Sequence, residues 1–403
     1  MTIYVIGAGM AGLAAAVTAV SAGHAVTLIE ATPNAGGRCR SFDDAQLGRR
    51  LDNGSHVLIG ANPAAMAYLD RVGARDSLVR LGNGGTPFAD LADGARWTFR
   101  AGRRVPGVGL NQHLRALALL PPCGARTVAE VLGDGMMMRR FWAPLTIAAL
   151  NTAPEHASAA LLRRILGEIL RHGRSGLDLF MARDGLSDSF VDPAIAYLQR
   201  HGAIMRMGAP VQAFTFGERT IKALHGHDET IDVHESDRII LAVPPTSGAR
   251  LLPGLSIPRG FNAIVNGHFL VPEHLLASGN VPLLGLCGAT AQWLFQRGDV
   301  VSVTVSDANA LLSLDQEELA RTLWLDVRRA LDLGDAVLPP HRIVREKRAT
   351  FDQTPDNEAL RPETRTRFAN LFLAGDWTAT GLPATIEGAI RSGRRAAELA
   401  LQS

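Results

Sequence analysis

Apolar positions along the chain fall into two textures. Near both ends, short unbroken apolar runs stand beside glycine turns: Thr2-Ile3-Tyr4-Val5-Ile6, Ala25-Val26-Thr27-Leu28-Ile29, residues 237–244 around Ile239-Ile240-Leu241, and Leu371-Phe372-Leu373. Runs of this length without polar alternation predict strands covered on both faces, as in a parallel sheet. Between the first two runs, residues 13–21 predict an alanine-rich helix that Gly23 ends. The middle of the chain is different. Helical spacing predicts helices over 62–72, with Met66, Leu69 and Val72 on one face, and over 114–120, 129–132, 136–142, 157–170, 193–201 and 315–330. Residues 78–110 alternate short extended runs with glycine-rich turns, and 264–271 with 300–306 predict a second sheet. A strand is expected over 202–211, a hairpin over 215–233 turning at Gly226, and a connecting strand over 341–346.

The first strand runs straight into Gly7-Ala8-Gly9-Met10-Ala11-Gly12, and the second ends at Glu30. A glycine turn with a strand before it, a helix after it and an acid some twenty residues on is the unit that holds a dinucleotide. Gly7 serves the tight turn, Gly9 lets backbone approach a pyrophosphate, and Gly12 lets helix and strand pack closely. Met10 and Ala11 lie in the turn that leads into the helix, whose free N–H groups and dipole favour the diphosphate. Glu30 is placed to accept from a ribose diol.

Composition narrows the class. At 403 residues two domains are expected, and 47% hydrophobic with 20% charged residues makes the chain globular. A net charge of +2 argues against a nucleic-acid partner. Cys39, Cys123 and Cys287 are too few and too scattered for a disulfide framework or a metal site. A dinucleotide strand at residue two leaves no room for a signal peptide, and no run is long enough to span a membrane, so a cytoplasmic protein is expected. Two stretches are candidates for lipid contact: Met136-Met137-Met138-Arg139-Arg140-Phe141-Trp142, against a plain core helix, and the basic helix over 161–171, against a half-buried surface helix, which is favoured.

Gly36-Gly37-Arg38 after Glu30, and Leu371-Phe372-Leu373-Ala374-Gly375-Asp376 near the other end, resemble the flavin-binding signature of the amine oxidase and carotenoid desaturase superfamily. That resemblance implies FAD, expected to be noncovalent because no cysteine or histidine lies between Asp376 and Ser392, held by a Rossmann-like α/β domain of the GR2 type made from residues 1–60, 200–250 and 345–403. An α+β substrate domain, residues 61–199 and 251–344, would be inserted into it. It implies that Arg38 lies near the pyrophosphate, that Asp376 binds the ribityl chain and phosphate, and that Val211 touches adenine through its backbone. The segment Leu51-Asp52-Asn53-Gly54-Ser55-His56-Val57-Leu58-Ile59-Gly60 would pass by the isoalloxazine, with Gly54 and Ser55 at the cofactor and His56 a candidate proton donor. Thr385, Ile386 and Glu387 would open a terminal helix toward the pyrimidine end of the flavin, with Gly388 allowing close approach and Glu387 stabilising the helix N–H groups.

Narrower pieces resemble the hydroxysqualene dehydroxylases: Asp52-Asn53-Gly54-Ser55-His56-Val57-Leu58, then Pro144-Leu145-Thr146-Ile147-Ala148-Ala149-Leu150-Asn151-Thr152, and Gly381-Leu382-Pro383-Ala384-Thr385-Ile386-Glu387-Gly388. The resemblance implies reductive removal of an allylic hydroxyl from a C30 isoprenoid, hydroxysqualene, with His56 and Asn151 as candidates to contact that hydroxyl. Because the chain has a single glycine turn of this kind, the electron donor is left unidentified. Three rivals remain: a phytoene-type carotenoid desaturase working oxidatively, an amine oxidase, and a prenyl carrier without flavin. The amine oxidase is weakened because the only lysines, Lys222 and Lys347, lie outside the strand over 264–271.

Overall fold

The computed structural model describes residues 1–81, 85–276 and 281–403, so part of the run over 78–110 lies outside the described residues. The apolar runs at the two ends meet in one sheet. Its five strands are all parallel, in the spatial order Ile204–Arg206, Ala25–Ile29, Thr2–Ile6, Arg238–Leu241 and Leu371–Leu373. The central strand is the first in sequence, so the turn at residues 7–12 emerges at the carboxyl edge, where open α/β sheets bind ligands.

Helix Met10–Ser21 is buried along nearly its whole length. It lies against the terminal helix Ile386–Leu401, and the crossing is close because Gly393 carries no side chain: a Cβ there would sit 1.9 Å from the Ala11 carbonyl oxygen. Helices Pro63–Val72 and Asp192–Arg200 pack into the same apolar cluster through Tyr68, Leu69 and Leu198. The stretch 61–199 thus contributes to the nucleotide domain as well as to the inserted one.

A second sheet has seven strands, in the order His341–Phe351, Phe261–Leu270, Val300–Val305, Trp293–Arg297, Leu283–Cys287, Thr86–Asp90 and Arg96–Phe99. All its pairings are antiparallel except that of Leu283–Cys287 with Thr86–Asp90. The strand expected as a short connection over 341–346 is in fact an eleven-residue edge strand of this sheet. Continuous pairing with Phe261–Leu270 carries it past the expected end. The expected hairpin over 215–233 is a three-stranded meander, Ala213–Phe216, Ile221–His225 and Thr230–Asp232. Residues 136–150 run as one continuous helix with a π-helical stretch at Met138–Trp142. Met137 and Trp142 are buried in a cluster with Val131 and Leu150, which makes this segment core and not a lipid contact. Helix Ala159–Arg171 is half-buried, with Ala159, Leu161, Leu162 and Glu168 turned inward. No helix among the described residues is long and apolar enough to cross a membrane.

Candidate active site

The glycine turn has the geometry its residues dictate. Gly7 takes φ +102°, and a Cβ there would lie 2.4 Å from the Ala242 carbonyl oxygen; a Cβ on Gly12 would lie 1.8 Å from the Gly7 oxygen. Neither position tolerates a side chain. In front of Gly9, by contrast, there is nothing within 4 Å of where a Cβ would be. Met10 starts the helix there, and the N–H groups of Ala11 and Gly12 have no protein partner among the described residues. This is an open, electropositive floor for a diphosphate.

Glu30 stands at the strand tip and ties the turn together. One carboxylate oxygen accepts from the Ala8 N–H at 2.7 Å, the other from the N–H and hydroxyl of Thr32 at 2.9 and 2.8 Å. Gly36 and Gly37 both take positive φ, and Gly37 passes close to Gly9. They deliver Arg38 to the other end of the chain, where its guanidinium donates to both carboxylate oxygens of Asp376 at 2.9 and 2.8 Å and to the Ala349 carbonyl. Asp376 holds the Arg38 guanidinium above its ordinary pKa, against a desolvation that lowers it. The Arg38 side chain is nonetheless 46% accessible, although protein surrounds it on all sides. A group of that kind borders an interior space.

His56 has the same character: its ring is exposed to water yet lies deep among protein atoms. Its Nδ1 is 2.7 Å from the Gly54 carbonyl oxygen. A carbonyl can only accept, so Nδ1 carries the hydrogen and the neutral ring presents Nε2 as an acceptor. Burial lowers the His56 pKa, with the Gly54 hydrogen bond and Asp52 opposing and Arg38 reinforcing that shift. Gly54 is held against the Asn266 amide, and the Asn53 side chain donates to the Arg38 carbonyl and Glu346. Asn266 and Glu346 stand on two neighbouring strands at one edge of the second sheet, so that sheet forms one wall beside the 52–56 segment. Val57, next to His56, enters an apolar cluster with Met181, Leu283, Phe295 and Trp293.

The C-terminal loop is built on contacts that the sequence did not announce. Gly375 takes φ +150°, with Trp377 where a Cβ would be, and donates to the Ser392 hydroxyl at 2.9 Å. Arg361 is the organiser. Its buried guanidinium donates to the carbonyls of Thr378, Leu382 and Asp376, to the Thr380 hydroxyl and to Glu358. Thr385 caps the terminal helix by accepting from Gly388 N–H at 3.1 Å, leaving the Ile386 and Glu387 N–H groups without a protein partner among the described residues. Val211 likewise has no backbone partner among the described residues, as an adenine contact would require.

Three expectations change. The Glu387 carboxylate does not cap the N–H groups of its own helix: it accepts from Ala64 and Ala65 N–H at 3.2 and 2.8 Å and pairs with Arg391 one turn on. It caps helix Pro63–Val72 from 322 residues away, so only its backbone N–H is left for a ligand. Gly388 is required by the loop, since a Cβ there would sit 2.6 Å from the Pro383 oxygen. Asn151 ends helix Ala143–Leu150 in the left-handed conformation, φ +47°. Its amide donates to Asn262 O and Thr350 Oγ1 and accepts from Asp307 N–H, which leaves little of it for a substrate hydroxyl.

Sequence reasoning also missed Gln353. It is fully buried: its side chain donates to Leu150 O at 2.6 Å and accepts from Ala384 N–H at 2.8 Å, while its backbone N–H donates to the Thr152 hydroxyl and its carbonyl accepts from Ser158 N–H. The Ala-Leu-Asn-Thr and Gly-Leu-Pro-Ala-Thr segments therefore meet through one glutamine. No local signal marks it.

Open ground before Gly9, free N–H groups on two helices and an accessible interior Arg38–Asp376 pair all fit FAD. Together with the parallel sheet they define a flavin-dependent oxidoreductase. The family described as flavin containing amine oxidoreductase matches residues 10–401. A solved structure of a putrescine oxidase variant superposes at TM-score 0.75 over 100% of both chains, at 19% identity. Within that class the chain belongs to the hydroxysqualene dehydroxylase family. It is 41% identical to the hydroxysqualene dehydroxylase of Sinorhizobium fredii over 99% of this chain and 98% of that protein. It is 40% identical to that of Rhodopseudomonas palustris with the same coverage. Carotene and phytoene desaturases stand much further off, at 21% to 22%.

Two predictions arise here. No cysteine or histidine lies between Asp376 and Ser392 in the flavin loop, and the three cysteines are free and buried. Acid precipitation should therefore release the yellow colour to the supernatant; colour in the pellet would mean a covalent link. The second concerns His268, whose ring is 2% exposed, with Nδ1 2.8 Å from the Ser302 hydroxyl and Nε2 unpartnered. Burial lowers its pKa to about 4. The unfolded chain, titrating near the ordinary value of about 6.5, binds the proton first, so stability is lost as pH falls from about 6.5 to about 4, by roughly 3 kcal/mol at most. Melting temperature against pH should show this slope in the parent and a shallower one in His268→Gln.

Proposed function

We propose that this chain removes the allylic hydroxyl of hydroxysqualene to give squalene, using FAD as an oxidoreductase of isoprenoid synthesis. The observation that carries this is the Gln353 bridge: the two segments narrowest to the hydroxysqualene dehydroxylases are joined at the loop that follows Asp376. Reduced FAD, when bound, supplies a hydride. The chain's own residues do the rest. Arg38, Asp376 and the glycine turn hold the cofactor, and the partly exposed Val57 and Trp293, backed by buried Met181 and Phe295, offer apolar surface to a polyene. His56 holds at Nε2 the proton that leaves with the hydroxyl as water. A neutral His56 cannot donate from Nε2, so the acid is the imidazolium.

An electron donor outside the chain reduces the flavin. The protein works in the cytoplasm at the inner face of the membrane, in keeping with its three reduced, buried cysteines. The test is anaerobic incubation of the flavin-loaded protein with hydroxysqualene and dithionite, with the products read by mass spectrometry. Squalene is expected; a C30 product that keeps its oxygen and gains a double bond would overturn the proposal.

A further inference from the structure

Four exposed leucines fall within one short segment. Helix Leu110–Leu114 runs directly into the 3₁₀ turn Arg115–Leu119. Leu110, Leu114, Leu117 and Leu120 are exposed by 58%, 55%, 58% and 63%. The first step is one α-helical turn, and side chains three apart on a 3₁₀ helix eclipse, so the four make one straight row. The opposite side of the segment is anchored. Leu119 is buried with Val105, Val131 and Leu132, and Gln112 and His113 accept from Met137 and Val105 N–H at 3.0 and 3.2 Å. The row is presented by a packed segment.

Charge accompanies it. Residues 94–129 contain six arginines (Arg96, Arg100, Arg103, Arg104, Arg115 and Arg126) and no aspartate or glutamate. Arg163 donates to the Leu120 carbonyl from helix Ala159–Arg171, which adds exposed Arg164 and Arg171 and, two turns on from Arg163 on the same face, Leu170 at 74% exposure. The one acid of that helix, Glu168, is buried and turned to Arg171 and Arg391.

We propose that the leucine row at 110–120 is a docking surface for an anionic phospholipid bilayer, which deepens the lipid-substrate reading above and rests on it. An apolar row on a stretch rich in exposed arginines matches an interface of acyl chains beneath anionic headgroups. A protein-binding face would carry aromatic or methionine anchors at its centre, and the exposed apolar residues of this row are all leucine. A C30 substrate is dissolved in the bilayer, so seating the inserted domain there shortens its path.

The test is flotation of the flavin-loaded protein with vesicles of phosphatidylcholine alone and of phosphatidylcholine with phosphatidylglycerol, without substrate. The parent should float with the anionic vesicles, less so at high salt, and poorly with neutral ones. Each leucine entering the acyl region contributes about tenfold in partitioning, so Leu114→Gln with Leu117→Gln should weaken flotation about a hundredfold. Flavin content per chain, unchanged, shows that the double variant is folded. It should turn over substrate in detergent micelles at the parent rate and substrate in vesicles more slowly. A parent that ignores anionic vesicles overturns the proposal. So does a double variant that floats as the parent does, which would leave the row to an acidic protein. A parent that floats but converts no hydroxysqualene in micelles keeps the docking surface and sinks the substrate assignment instead.

Discussion

His56→Gln should bind FAD as the parent does, accept electrons from dithionite at the parent rate, and then reoxidise with hydroxysqualene about a hundredfold more slowly, or worse. The argument starts from one hydrogen bond. With Nδ1–H committed to Gly54 O, only Nε2 faces away, and it can deliver a proton only when the ring is charged. Burial makes that charged form scarce at neutral pH and a strong acid when present. The parent's single-turnover rate should therefore rise as pH falls, and fall as pH rises through a pKa below the ordinary 6.5 or so. Glutamine keeps a hydrogen-bonding group and removes the titration, so the acid limb should vanish with the rate. A variant that reoxidises at the parent rate with the same pH profile makes His56 structural.

Asp376→Ala should lose one to two decades of FAD affinity, because a charged hydrogen bond to cofactor hydroxyls contributes about 1.5–3 kcal/mol. In this structure the carboxylate also neutralises Arg38 and is only 6% exposed, so the variant leaves a cation facing the interior space. Asp376→Asn, which keeps the shape, should fall between the two. Glu30→Ala should act in the same direction and more weakly, since that carboxylate already spends three acceptances on Ala8 and Thr32. Flavin absorbance per chain after dialysis measures all three. Full retention by Asp376→Ala would assign the residue to the fold alone.

Much of this site was legible because its residues act locally. Gly7 supplies the positive φ of the turn, Gly12 must clear the Gly7 oxygen, Gly9 leaves the ground in front of it open, and Glu30 follows the strand that presents it. The strands around the glycine turn were legible for the same reason, each being a short unbroken apolar run. What was hidden depends on contacts far apart in sequence. Nothing near Glu387 says that its partners are Ala64 and Ala65, and nothing in the Ala-Leu-Asn-Thr segment says that Asn151 is consumed by Asn262, Thr350 and Asp307. Arg361 and Gln353 are single polar residues whose value appears only when a loop folds over them. The exposure of the leucines at 110–120 was hidden differently, since apolar spacing predicts a face but not which side of it is covered.

The most direct measurement is a stoichiometric single turnover. Fully reduced, flavin-loaded protein is mixed without oxygen with an excess of hydroxysqualene, while flavin absorbance and C30 products are followed together. One flavin should be reoxidised for each squalene formed, and oxidised enzyme should not be reduced by squalene or by a carotenoid precursor. Flavin that stays reduced before hydroxysqualene, while the oxidised enzyme takes electrons from a polyene, would contradict the account.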